Sequence, residues 1–213
     1  PYLKESLNDK LLPLPKFEID EIDKEQVISL LKTESPDLRF SPDYKIVILD
    51  SDPGTLLPLR GWPIEYYCEL ANLIVNDYDD VYIVLTGLMQ SLSFNKKIFN
   101  AVGGTRCIDL TGKTRSLVEL VKVIAFSHIL LTNDGGPAHF AALTNAHVIV
   151  LFGPETPSLY RPYTENCTTL YSHLSCSPCL SAFNHRKTFC NNNRCLQTIS
   201  VDQVYSVVKH ALV

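Results

Sequence analysis

The chain has 213 residues, 46% of them hydrophobic and 20% charged, enough for one domain with a substantial core, or one domain with a small appendage. A formal net charge of −4 leaves no basic face, which excludes nucleic acid as a partner on electrostatic grounds. No apolar run approaches the roughly 18 residues of a membrane span, and the start lacks a basic, then apolar, signal pattern.

The first residue is Pro1, which raises the expectation of a longer polypeptide. Residues 1–17 carry Pro13, Pro15 and scattered apolar residues without a period, so they read as an extended or linking segment. From Ile19 to Leu31, apolar Ile22, Val27, Ile28, Leu30 and Leu31 sit among charges, an amphipathic helix ending before Pro36. Residues 1–44 are thus expected to be a linker and a lead-in helix.

The continuous apolar run Lys45 to Asp50, bounded by Pro42 and a turn at Ser51 to Gly54, has the character of a strand buried on both faces. Ile64 to Val75 has helical spacing with Pro63 at its start. Val81 to Gly87 is a second strand, Phe94 to Val102 a helix, Arg106 to Leu110 a weaker strand and Leu117 to Phe126 a helix. A strand at Ile129 to Thr132 runs into a helix reaching Leu143, and His147 to Gly153 is the clearest strand of all. This alternation predicts an α/β domain over residues 45–213, a Rossmann-like parallel sheet with helices on both faces. Residues 173–196 form a cysteine-bearing segment before a C-terminal helix. In such sheets ligands bind beyond the carboxyl ends of the strands, so the loops there are the places to search.

The most informative of them is Thr132-Asn133-Asp134-Gly135-Gly136-Pro137-Ala138-His139. Asn133 to Gly136 is turn chemistry and Pro137 suits a first helical turn, so backbone N–H groups at Gly135 and Gly136 face whatever lies beyond the strand, where anions are favoured. Asp134 would repel a phosphate, which makes it a helix cap or an acceptor for sugar hydroxyls. His139 lies in the first turn, where the dipole disfavours the imidazolium. A capped helix with a packed histidine is the alternative. Arg60-Gly61-Trp62-Pro63 ends the loop after the first strand; Arg60 is either a fork for a diphosphate or a surface arginine beside a buried tryptophan.

Gly112-Lys113-Thr114 is not a P-loop, because the position five residues before Gly112 is Cys107 rather than glycine. It is expected to line a pocket, with Thr114 to Ser116 leading into the cap of the following helix. No G-x-G-x-x-G follows any strand, which counts against a dinucleotide cofactor. The seven cysteines, an odd count, argue against a full disulfide framework and for a reducing compartment. Cys176-x2-Cys179-x10-Cys190-x4-Cys195 admits a structural zinc, with His173 or His185 as substitute ligands, or free thiols, or a redox pair. No acid/base carboxylate pair or nucleophile–base arrangement stands out.

Arg60-x-Trp62-Pro63, Leu85-Thr86-Gly87, Leu131 to His139, and Leu151-Phe152-Gly153-Pro154-Glu155-Thr156-Pro157, in this order and separation, resemble the heptosyltransferase family, glycosyltransferase family nine. A tail with Ser175-Cys176-x-Pro178-Cys179 extends the likeness. The resemblance implies the C-terminal, donor-binding half of a GT-B enzyme that is inverting and metal-independent. Its donor would be a nucleotide-diphosphate sugar such as ADP-heptose, and its setting cell-surface polysaccharide or lipopolysaccharide synthesis. By position, Asp134 would hold sugar hydroxyls; Gly135 and Gly136 would meet the diphosphate; and Arg60, with Thr55 nearby, would stabilise the leaving group. Gly87, Asn133 and His139 would complete the substrate contacts, and the loop holding Gly112, Thr114 and Ser116 would receive the base. The catalytic base and the saccharide or glycolipid acceptor would belong to an N-terminal domain, so this segment alone would be inactive. The implied location is cytoplasmic, peripheral at the inner face of the membrane. Two positions depart from the family pattern: Gly61 replaces a frequent basic residue, and Leu88 to Phe94 lacks the acidic residue that would hold the ribose. A non-catalytic interaction module built on the cysteine cluster, and a GT-B-like epimerase or hydrolase, are the competing expectations.

Overall fold

A computed structural model of the chain describes residues 15–41, 43–104 and 106–213; most of the expected linking segment 1–17 lies outside them. The central strands are apolar through their middles and polar only at their ends, and are buried on both faces, as a parallel sheet requires. They are β1 (Lys45–Asp50), β2 (Val81–Leu85), β4 (Ile129–Asn133) and β5 (His147–Phe152). The short β3 (Cys107–Asp109) and the half-buried β6 (Cys167–Tyr171) form the edges. Among the described residues they make one six-stranded sheet in the order β3-β2-β1-β4-β5-β6, with every pairing parallel.

Alternate side chains on each strand go to opposite faces, which gives two cores. Val47, Leu49, Ile83, Leu85, Leu131 and Ile149 pack under α2 (Ile64–Asp77), α3 (Leu92–Val102) and α8 (Val201–Leu212), against Tyr67, Leu70, Ile74, Ile98 and Val204. Ile46, Ile48, Val84, Leu130, Val148 and Val150 face the other layer, α1 (Glu21–Glu34), α4 (Leu117–Ala125) and α5 (Gly136–Ala141). Each fully buried aliphatic side chain contributes about 1.5–3 kcal/mol of transfer free energy.

Helix α1 belongs to this second layer, with Val27 and Leu31 buried in it. Asp20 caps it by accepting from Asp23 N–H at 2.8 Å, and it runs to Glu34, almost a turn past the expected Leu31. Residues just before it are tied down: Phe17 N–H donates to Leu143 O (2.6 Å) and Lys16 Nζ to Thr144 O (2.6 Å). The sequence patterning did not mark β6, nor the single-turn helices α6 (Pro157–Tyr160) and α7 (Arg194–Gln197).

What positions the site is the junction of β1 and β4. They pair in parallel, Asp50 opposite Thr132, while the chain leaves β1 toward β2 on one side and β4 toward β5 on the other. The two departing loops diverge and leave a crevice at the carboxyl ends, the topological switch point of a doubly wound sheet.

Candidate functional site

A cavity of about 340 Å³ occupies that crevice. Its floor is the ends of β1 and β4. Its walls are the 52–60 loop, Gly87 to Ser91 after β2, Thr114 before α4, and Asp134 to Pro137 at the start of α5. Asn133 braces the two central loops: its Nδ2 donates to Ser51 O and its Oδ1 accepts from Trp62 N–H, both at 2.9 Å. Trp62 is itself buried edge-on against Tyr66 and Tyr67, with Nε1–H donating to Ile199 O at 2.9 Å. Arg60 is thereby delivered to the cavity from a rigid base.

Arg60 ends a 3-10 turn, Pro58–Arg60. Its Nη1 lies 3.3 Å from Glu155 Oε2 and 3.7 Å from Asp134 Oδ2, and its Nε is buried without a partner. Glu155, on the loop after β5, is 1% exposed, and its Oε1 also accepts from Arg186 Nε at 3.2 Å. Asp134 is 5% exposed, and its Oδ2 accepts no hydrogen bond. Burial first, then the neighbouring Glu155 carboxylate, pushes its pKa up to about 7, against the opposing pull of Arg60 and Arg186. A buried acceptor with no donor costs free energy, and one that lines a cavity is completed when a ligand hydroxyl or N–H reaches it.

The opposite wall is a second polar network. Asp50, at the end of β1, accepts from Thr86 Oγ1 at 2.9 Å, and burial pushes its pKa up to about 7. Asp52 accepts from Gly54 N–H (2.8 Å) and Ser91 Oγ (2.7 Å). Buried Asn95 ties the three loops on this side together: it accepts from Ser51 Oγ (2.9 Å) and donates to Thr86 O (3.0 Å) and Thr111 Oγ1 (2.7 Å).

Of the residues selected from sequence, Thr55, Arg60, Gly87, Thr114, Asn133, Asp134, Gly135 and Gly136 line this cavity. Gly112, Ser116 and His139 do not. Ser116 caps α4, accepting from Glu119 N–H at 3.1 Å, and His139 faces solvent. Gly112 has φ +67, and a Cβ there would meet Met89 Sδ at 2.3 Å, so its glycine has a packing reason. Helix α5 spans six residues rather than reaching Leu143, so its dipole is short and Arg60 is the main positive charge of the cavity. Glu155, Asp50, Asp52 and Arg186 were not selected; Glu155 stood inside a quoted motif without a role.

The zinc expectation is not met by the geometry. Among the described residues no three His, Cys, Asp or Glu side chains converge as a metal site needs, and Cys176, Cys179, Cys190 and Cys195 are free. Hydrogen bonds to the loop after β5 order the segment instead. Cys179 and Leu180 N–H both donate to Pro154 O at 2.9 Å, Ser177 Oγ donates to Gly153 O, and Leu180 is buried. His185 and Arg186 both adopt left-handed backbone, φ 53 and 55, which turns the chain so that Arg186 reaches back to Glu155.

The architecture and this crevice define a Rossmann-like α/β domain of the GT-B kind, with a polar site at its switch point. The chain belongs to glycosyltransferase family 9 (heptosyltransferase), which residues 13–189 match. It is 26% identical over 161 residues to lipopolysaccharide heptosyltransferase 2 of Salmonella typhimurium, covering 73% of this chain and 42% of that protein. The solved structure of E. coli ADP-heptose LPS heptosyltransferase II superposes with a TM-score of 0.71 at 20% identity, over 94% of this chain and 55% of that one. That of E. coli heptosyltransferase WaaC with ADP-2-deoxy-2-fluoro heptose gives a TM-score of 0.58 at 17% identity, over 92% and 50%. The chain therefore spans about half the length of these relatives.

Proposed function

We propose that this chain is the donor-binding half of a heptosyltransferase-type glycosyltransferase of lipopolysaccharide synthesis, and that its switch-point cavity holds a nucleotide-diphosphate sugar resembling ADP-heptose. The observation that carries this reading is the buried, unpartnered Asp134 Oδ2 beside Arg60 in the cavity wall. An acceptor beside a guanidinium suits a ligand that brings hydroxyls and negative charge together. In this reading Asp134 receives sugar hydroxyls, Arg60 faces the diphosphate, and Gly135 and Gly136 add backbone N–H donors. Thr55, Gly87 and Thr114 contact the remainder of the donor.

Charge developing on the departing diphosphate would be met by Arg60 without a divalent metal, and the acceptor hydroxyl would attack the anomeric carbon from the opposite side with inversion. The base and the acceptor site would come from the portion of the relatives that this chain does not span. Among the described residues no helix is long and apolar enough to cross a membrane. A cytoplasmic enzyme working at the inner face of the membrane is consistent with the named roles of the relatives.

Calorimetric titration with ADP, UDP, GDP and CMP tests the reading. ADP is expected to bind best, and Arg60→Ala is expected to weaken it by roughly 1–3 kcal/mol. Folded protein that takes up none of the four nucleotides would overturn the proposal.

A further inference from the structure

Arg60 faces a conflict. Its side chain is 18% exposed, and its Nη1 lies between two buried carboxylates, Asp134 at 3.7 Å and Glu155 at 3.3 Å. Glu155 alone cancels the charge of Arg60, and any ionised fraction of Asp134 adds to the deficit, which leaves no positive charge for a diphosphate at the same wall. The structure holds a second cation against this. Arg186 Nε sits 3.2 Å from the other Glu155 oxygen, so each oxygen of Glu155 faces its own guanidinium. Arg186 does not line the cavity. It borders a neighbouring apolar groove with Leu57, Leu59 and Phe189, and its hydrogen bond toward the site is the one to Glu155. Its position depends on the left-handed pair His185–Arg186 and on the anchoring of residues 177–180 to the loop after β5.

We propose that Arg186 is a positioning residue for the donor site: by neutralising buried Glu155 it releases the charge of Arg60 for the diphosphate of the ligand. This assigns the cysteine-bearing segment a task, which is to carry a counter-charge to the edge of the site. The inference rests on the proposed nucleotide-diphosphate reading of the cavity.

The test is ADP affinity, measured by calorimetry on the 213-residue chain and on R186M, R186K and the double variant E155Q/R186M, each checked for folding by circular dichroism. R186M is expected to bind ADP about tenfold more weakly, because it leaves Glu155 drawing on Arg60. R186K keeps the charge and should stay within about threefold of wild type. In the double variant the surplus carboxylate is gone as well, so affinity should return to within about threefold of wild type. Removing both partners also relieves a purely structural fault, so the melting temperature of each variant is measured, and the affinity loss is expected in R186M that is fully folded at the titration temperature. Equal affinity of R186M and wild type, or a double variant as weak as R186M, would overturn the inference while leaving the donor reading intact. Failure of the wild-type chain to bind any nucleoside diphosphate would overturn both.

Discussion

Asp50 illustrates how a single carboxyl couples this fold to pH. It closes β1 at 6% exposure, with Thr86 Oγ1 donating to it, the Asp52 carboxylate nearby and the buried Tyr67 hydroxyl within its field. Burial raises its folded pKa to about 7 from 3.8. Between those values the folded state holds a proton that the unfolded state has released, so unfolding loses a proton and stability falls as pH rises. Below the unfolded pKa the group makes no difference, and above the folded pKa the full penalty applies. Asp50→Asn, which cannot ionise and still offers an oxygen to Thr86, should therefore be near neutral at pH 3 and stabilising by a few kcal/mol at pH 8, several degrees in Tm. Thermal unfolding at the two pH values checks this; an Asn effect independent of pH would refute it. Asp134 obeys the same sign, its pKa raised to about 7 mainly by burial. Its place in the site was legible in the sequence because Asn133 to Pro137 is contiguous turn and helix-start chemistry. Glu155 and Arg186 were not legible, since Glu155 meets Arg60 from the loop after another strand and Arg186 meets Glu155 through a left-handed turn that no local pattern announces.

Among the elements, the strands buried on both faces declare themselves, as β1, β2, β4 and β5 show by unbroken apolar runs. β6 does not, because Cys167 to Tyr171 is half-buried throughout and carries two threonines, leaving neither a run nor an alternation to read. The joints between elements are equally silent in sequence. Asn133 would pass for a turn residue, yet its amide fixes both ends of the β1 loop to β4 through Ser51 O and Trp62 N–H. Asn133→Ala strands two buried backbone groups at about 1–3 kcal/mol each. Urea denaturation should show a loss of at least about 2 kcal/mol, with an unchanged m-value if the native sheet persists. A loss below about 0.5 kcal/mol, the range of ordinary surface substitutions, would mean that Trp62 and its loop are held by packing alone.

At the scale of the whole molecule, the cavity opens beyond the carboxyl edge of a single sheet, and its one arginine is held by carboxylates of the chain itself. Arg60 lies between Asp134 and Glu155, Arg186 pairs with the other Glu155 oxygen, and on the β1 side each Asp52 oxygen accepts one hydrogen bond, from Gly54 N–H and Ser91 Oγ. On the proposed function such a wall would hold the donor and its leaving diphosphate, and an inverting reaction would further need a base on the far side of the sugar, aligned with the acceptor hydroxyl. The chain covers 42% of its Salmonella relative and 55% of the E. coli heptosyltransferase II structure, so the proposed division of labour assigns that base to the part not spanned. The expected outcome is binding without turnover. The 213-residue chain should take up ADP, yet release none from ADP-heptose in the presence of a lipopolysaccharide-core acceptor, as followed by chromatography of the nucleotide products. Adding back the remainder of a full-length relative's architecture, as a fusion ahead of residue 1, should restore acceptor-dependent release. Acceptor-dependent release by the chain alone would place a base among the residues described above, with Asp50 the foremost candidate because it lines the cavity and its pKa is raised to about 7, within the range suited to general-base work.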